Sequence, residues 1–88
     1  MSSFLPSTSM PAELDLRWLP SPEPLERALA AADALAPGQA VQVLTPRLPL
    51  PLFEALRERG LHARAFVLPG GGARVLIRRP HDDVPARD

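Results

Sequence analysis

Ser21 is the side chain that the sequence places best for chemistry. It precedes Pro22, and a serine followed by a proline is typical of an N-cap and the first position of a helix. A serine hydroxyl becomes a useful nucleophile only beside a base, and the two histidines, His62 and His81, lie far from it along the chain. We therefore predict that Ser21 caps a helix and does not take part in catalysis.

The start of that helix could instead form a small-ligand site. Backbone N–H groups and the positive end of the helix dipole favour a bound anion at such a position. The candidate ligand-binding residues flank this point in the sequence, and they are Arg17, Trp18, Ser21 and Glu23. In this alternative hypothesis the protein is a sensor of a small anion or another small ligand.

Other chemistries lack the residues that they need. The sequence contains no cysteine, which excludes disulfides, thiol catalysis and the carriage of sulfur as a persulfide. The His-Asp-Asp segment at 81–83 consists of adjacent residues, which cannot enclose a metal ion. The glycine triplet at 70–72 precedes a strand, whereas a phosphate-binding loop precedes a helix. We expect no metal site, no cofactor and no enzymatic activity.

The charge composition weighs against nucleic acid and membrane surfaces as partners. Ten arginines balance ten acidic residues, whereas binding to phosphate backbones or anionic lipid depends on summed positive charge. RNA binding is a second alternative, although the aromatic residues are few. No apolar run approaches the roughly 18 residues of a membrane span, and the N-terminus has no signal-peptide pattern. We predict a cytoplasmic protein.

Hydrophobic periodicity predicts six elements of secondary structure. Apolar and polar residues alternate in the first element, as in a strand with one buried face, whereas apolar residues recur every three or four positions after Ser21, as in a helix. In chain order, we predict a strand over 13–17, a helix over 22–36, a strand over 40–45, a helix over about 51–59, and two strands over 61–68 and 73–79. A glycine hairpin joins the last two strands.

The order β-α-β-α-β-β defines the expected fold. Two crossover connections through helices bring parallel strands together, and the closing hairpin adds an antiparallel strand. We predict an α/β two-layer sandwich, in which a four-stranded mixed sheet carries both helices on one face. The predicted domain covers residues 13–79, with disordered tails over 1–12 and 80–88.

Two segments resemble the TusA family, also called SirA-like. The first is Leu-Asp-Leu-Arg at 14–17, and the second is Ser-Pro-Glu-Pro at 21–24, which occupies the place of the family's Cys-Pro-x-Pro signature. Ser21 therefore stands where these proteins hold their sulfur-carrying cysteine. The sequence is most similar to the cysteine-free branch, the domain-of-unknown-function 2249 family, whose members show a similar Leu-Asp-x-Arg segment, a Glu-Pro-Leu-Glu segment and a later Pro-Gly pair.

This resemblance implies a TusA-like fold without the sulfur chemistry. Some proteins of the cysteine-free branch are fused to haemerythrin-like or other small domains, which implies a protein partner or a fused-domain homologue. We predict a non-enzymatic accessory or interaction module. It would dock through its open sheet face to a partner that handles redox chemistry, metal or sulfur.

The sheet face opposite the helices is the predicted docking surface. Side chains alternate along a strand, so if Val43, Val75 and Ile77 face the helices, their neighbours face outward. The outward set mixes arginine with leucine and phenylalanine, which is typical of protein interfaces. The predicted interface residues are Arg17, Leu44, Arg64, Phe66, Arg74, Leu76 and Arg78. The sequence also leaves open that the module acts as a homodimer.

Overall fold

The computed structural model describes residues 12–81, so most of the predicted tails over 1–12 and 80–88 lie outside the described range. Ala12, predicted to be in the first tail, opens a strand instead. The six elements are β1 (Ala12–Asp15), α1 (Glu23–Asp33), β2 (Ala40–Thr45), α2 (Leu50–Glu58), β3 (His62–Val67) and β4 (Ala73–Arg78). The predicted order β-α-β-α-β-β is confirmed.

The four strands form one mixed sheet in the order β1-β2-β4-β3. β1 pairs with β2 in parallel, and β4 is antiparallel to both of its neighbours. β1, β2 and β3 therefore run in one direction, and their carboxyl ends lie at the same end of the sheet. Because β1 and β2 are parallel, a crossover connection joins them, here through α1. The loops that follow the two strands meet at that end of the sheet.

The core lies between the sheet and both helices, as predicted for a two-layer sandwich. Val43, Val75 and Ile77 point from the two central strands towards the helices and are fully buried. Leu52 and Leu56 cover them from α2, while α1 contributes small buried alanines. Burying these aliphatic side chains stabilises the fold by about 1.5–3 kcal/mol for each larger one. Within residues 12–81, neither helix has the length and apolar character that a bilayer crossing requires.

The start of α1 differs from the prediction. Pro22 occupies the N-cap position and no side chain caps the helix, so the assignment of Ser21 as the N-cap is wrong. The Glu23 N–H donates instead to the Pro20 carbonyl at 2.9 Å, and Pro24 has no N–H that a serine could cap. The helix also ends at Asp33, before the predicted residue 36, because the chain tightens into a turn that leads to a Pro-Gly pair.

A tight hairpin joins β3 to β4 beside the end of β2. The Leu68 N–H donates to the Gly72 carbonyl at 3.0 Å, and Gly72 adopts a φ of 85°. A Cβ atom at this position would collide with the Thr45 backbone carbonyl. Only glycine can adopt this φ and lie so close to the Thr45 carbonyl. The hairpin is therefore packed against the end of β2, where the loop to α2 begins.

Candidate functional site

A groove of about 580 Å³ lies at the end of the sheet, next to the carboxyl ends of β1 and β2. The loop from β1 to α1 forms one wall, and the loop from β2 to α2 forms the other. Ligands of open α/β sheets commonly bind in the crevice outside the carboxyl ends of parallel strands. The volume is also within the range of small-molecule sites, which is roughly 300–1,000 Å³.

Proline dominates the lining of this groove. The lining prolines are Pro20, Pro22, Pro24, Pro46, Pro49 and Pro51. The hydroxyl of the buried Thr45 donates to the Arg47 carbonyl at 2.8 Å, which fixes the first turn of the second loop. Because proline has no N–H, these walls offer apolar rings and few backbone donors.

Three of the four predicted ligand-binding residues line the groove: Arg17, Trp18 and Ser21. Trp18 is 80% exposed, so its ring is available to a ligand or partner. Arg17 is already engaged, because its Nε and Nη2 donate to the two carboxylate oxygens of Asp15 at 2.9 and 2.8 Å. These bonds lower the pKa of Asp15 to about 2. Glu23 does not line the groove, and its carboxylate lies 3.9 Å from the Arg27 guanidinium.

This geometry is poorly suited to an anion. Pro22 and Pro24 have no N–H, and the Glu23 N–H is already bonded to a carbonyl. The first turn of α1 also carries two carboxylates, Glu23 and Glu26, which repel a bound anion. These features disfavour an anion at the start of α1, although Arg47 also lines the groove, on its opposite wall.

The second wall of the groove was not predicted from the sequence. Thr45, Arg47 and Leu48 line it, although no ligand-binding role was predicted for them. The sequence feature that could have predicted it is the parallel pairing of the first two strands, which brings the loops after them to the same end of the sheet.

The open face of the sheet holds the predicted interface residues, but not all of them are accessible. Leu44 is only 8% exposed, which corrects its prediction as an exposed contact residue. The register places Asp15 on one side of Leu44 and Arg74 on the other. Arg74 also reaches across β2 towards Glu13, at 3.9 Å, so charged side chains surround the leucine. Such long side chains cover apolar surface with their stems.

Charge divides the open face into two halves. On the β1 and β2 half, Arg17 pairs with Asp15, and Arg74 reaches over from β4 towards Glu13. On the β3 and β4 half, no carboxylate within residues 12–81 lies within 4 Å of Arg64 or Arg78. We call this second half the basic patch; it consists of His62, Arg64, Phe66, Leu76 and Arg78.

The basic patch combines charge with accessible apolar surface. Phe66 is 49% exposed and Leu76 is half-buried. The Arg78 Nη2 lies 3.3 Å from the His62 Nδ1, so the two side chains lie against each other across the β3–β4 pair. The register aligns His62, Arg64 and Phe66 with the outward residues of β4, so these three side chains lie on the open face.

The strand order, the two helices on one face and the proline-rich start of α1 define a SirA-like α/β sandwich. The chain is similar in structure to a SirA-like protein from Desulfitobacterium hafniense, with a TM-score of 0.68 and 22% sequence identity over 80% of this chain and 99% of that chain. The family described as "Uncharacterized conserved protein (DUF2249)" matches residues 13–79, and the chain belongs to this family. The predicted TusA/SirA-like fold is thereby confirmed. No curated protein matched the chain.

Proposed function

We propose that this protein is a non-enzymatic interaction module that binds a protein partner through the open face of its sheet. The basic patch carries this proposal, because Arg64 and Arg78 flank accessible apolar side chains on a face that neither helix covers. Arginine beside aromatic and aliphatic groups is the composition of many interface centres. The partner surface would be acidic, with an apolar centre.

The lack of cysteine narrows the role of the module. SirA-like proteins resemble the sulfur carriers, but this chain has serine at the position of their cysteine and no thiol anywhere. It would therefore assist a redox, metal- or sulfur-handling partner by docking, without carrying sulfur itself. A cytoplasmic location remains a prediction.

Photo-crosslinking tests which face binds a partner. Benzoylphenylalanine at Gln42, in the middle of the open face, is compared with the same group at Ala30, which is exposed on α1. We expect one protein to be crosslinked in cells through position 42 and not through position 30. Crosslinking of that protein only through position 30 would assign the interface to the helices and contradict the proposal.

A charge reversal on each side of the molecule makes the test quantitative. Arg78→Glu changes the basic patch, and Arg57→Glu makes the same change on the exposed surface of α2. We expect the first variant to lose the crosslinked partner and the second to retain it. Retention of the chain on immobilised RNA, weakening with added salt, would instead support the RNA-binding alternative.

The groove supports a second candidate function, the binding of a small apolar ligand. Its volume and its proline-lined walls favour such a molecule over the anion that the sequence suggested. Nile red, a neutral apolar dye, is the probe, and the single Trp18 at the groove reports binding through its fluorescence.

Matched variants separate the groove from the general surface in this assay. Leu48→Asp places a charge in the groove, whereas Leu50→Asp places one on a more exposed leucine that does not line it. We expect the first variant alone to weaken dye binding. We expect phosphate, sulfate and thiosulfate to leave the Trp18 emission unchanged. Equal dye binding by both variants would remove the groove as a ligand site.

A further inference from the structure

The two edges of the sheet differ in how they are protected. β1 forms one edge; it is four residues long and carries two carboxylates, Glu13 and Asp15. β3 forms the other edge; it is six residues long, every residue is exposed, and it contains neither lysine nor proline. Short, charged edges resist pairing with another strand, whereas long apolar edges invite it. Apart from the charge of Arg64, the β3 edge therefore lacks the devices that keep a sheet edge unpaired.

Much of the exposed surface of β3 is apolar. Phe66 is 49% exposed on the open face, and Val67 is 76% exposed on the helix side. Ala63 and Ala65 are also exposed, on the same face as Val67. This apolar surface lies along the row of backbone groups that a further strand would bond.

The hairpin shows which backbone groups of β3 point away from β4. The Leu68 N–H donates to the Gly72 carbonyl, and hydrogen-bonded pairs alternate along an antiparallel ladder. The even-numbered residues of β3 therefore bond β4. The odd-numbered residues, Ala63, Ala65 and Val67, direct their N–H and C=O groups outward.

We infer that two copies of this chain pair through β3 in antiparallel orientation, centred on Ala65, to form one continuous eight-stranded sheet. In this register the outward backbone groups of Ala65 bond those of the second Ala65. Those of Ala63 bond Val67 of the second copy, which gives six backbone hydrogen bonds in total. On the open face Arg64 lies opposite Phe66 in both halves of the pair, where the guanidinium can stack on the ring.

Neighbouring registers are less favourable. A pair centred on Arg64 would set two guanidinium groups directly opposite each other, which is destabilising. A pair centred on Phe66 would set Ala63 opposite Pro69 in both halves, and because Pro69 has no N–H, both Ala63 carbonyls would be left without a partner. The residue pattern of β3 is therefore complementary to a second copy of itself in the register centred on Ala65.

The dimer forms through the backbone edge of β3, whereas the partner would contact side chains of the open face; Arg64 and Phe66 are the patch residues that would lie at the dimer seam. The dimer would join two open faces into one surface, so that two basic patches lie side by side. Loss of the dimer would leave each monomer with its own patch, and loss of the partner would leave the dimer unchanged.

Proline on each edge tests the pairing. Ala65→Pro removes an N–H that points away from β4, so the ladder within the monomer is retained. Glu13→Pro is the matched control on the opposite edge: the Leu16 N–H donates to the Leu44 carbonyl at 2.8 Å, so the Glu13 N–H points away from β2. In sedimentation equilibrium we expect the wild type and Glu13→Pro to approach twice the 9.5 kDa chain mass, and Ala65→Pro to remain a monomer.

A single introduced cysteine tests the register, because the chain has no other thiol. In the inferred dimer the two Ala65 Cα atoms are about 5.5 Å apart, within reach of a disulfide. The two Ala63 Cα atoms are about 13 Å apart, which is too far. We expect Ala65→Cys to form a covalent dimer on mild oxidation and Ala63→Cys to remain largely uncrosslinked.

The following results would overturn the inference. The wild type could remain a monomer at every concentration, Ala65→Pro could still dimerise, or Ala63→Cys could crosslink as readily as Ala65→Cys. The cysteine variants keep the inference testable if the proline disturbs folding. A different protein captured on the β3 edge in place of a second copy would also contradict it.

Discussion

The two faces of the sheet are formed by the same strands but differ in burial and composition. The helix-covered face is made of aliphatic side chains such as Val43, Val75 and Ile77, which are fully buried. The open face carries arginines around a few apolar side chains, and among its residues within 12–81 only Leu44 is buried. We therefore expect the first face to contribute most of the stability and the second, which is largely accessible, to contribute less. Substitutions one residue apart should therefore have different consequences.

The largest effect should come from the covered face. Ile77→Ala removes a fully buried side chain and leaves a cavity, so we expect unfolding to be easier by about 2–4 kcal/mol in urea denaturation. Its neighbour Leu76 lies half-buried on the open face, and Leu76→Ala should cost about 1 kcal/mol or less. Equal losses from the two variants would show that both faces support the fold.

The hairpin that closes the sheet should show the next largest effect. Gly72→Ala forces a Cβ into the Thr45 carbonyl at a positive φ, so we expect a loss of about 1–3 kcal/mol. Gly71 also has a positive φ, but open space surrounds it, and Gly71→Ala should cost about 1 kcal/mol. Thermal denaturation of both variants measures the difference. A Gly72→Ala loss no greater than that of Gly71→Ala would mean that the close contact does not matter.

The acidic edge of the open face should respond to pH. Hydrogen bonds from Arg17 lower the pKa of Asp15 from 3.8 to about 2. A carboxylate whose pKa is lowered in the folded protein stabilises the fold at pH values above its unfolded pKa of 3.8. This contribution is lost as the pH falls from 3.8 to about 2. Asp15→Asn should reduce the loss of stability over this range, measured by urea titration at each pH. An unchanged pH profile would show that the pair does not support the fold.

The smallest effect should come from Ser21. Its hydroxyl caps no backbone group, so Ser21→Ala should change the free energy of unfolding by no more than about 0.5 kcal/mol. An N-cap serine would give a loss of about 1 kcal/mol. Chemical denaturation therefore tests the observed start of α1, and a loss of that larger size would restore the sequence-based assignment.

Residue pattern was sufficient for the order of the elements and for the faces of the sheet. β2 has the predicted bounds because its β-branched run is closed by Pro46, and alternation along β4 assigned Leu76 and Ile77 to opposite faces. The family resemblance implied the same two-layer fold, whereas the strand order was not predicted.

The details of the candidate site depend on contacts between distant residues. Ser21 matches the local pattern of an N-cap, but three prolines around it change the path of the backbone, and the Pro20 carbonyl takes the N–H. Leu44 is buried by charged neighbours on β1 and β4, which alternation along one strand does not reveal. The groove forms where two loops meet, so its second wall required the parallel pairing of β1 and β2.

The most direct test of docking through the open face uses the partner identified by crosslinking, purified in its free form. Its affinity is measured for three forms of the chain. Isothermal titration calorimetry would compare the wild type with Arg78→Glu on the basic patch and Arg57→Glu on α2. We expect Arg78→Glu to weaken binding by about tenfold or more, which is about 1.4 kcal/mol, and Arg57→Glu to bind like the wild type. Equal affinities for all three forms, or weakening by Arg57→Glu alone, would contradict docking through the open face.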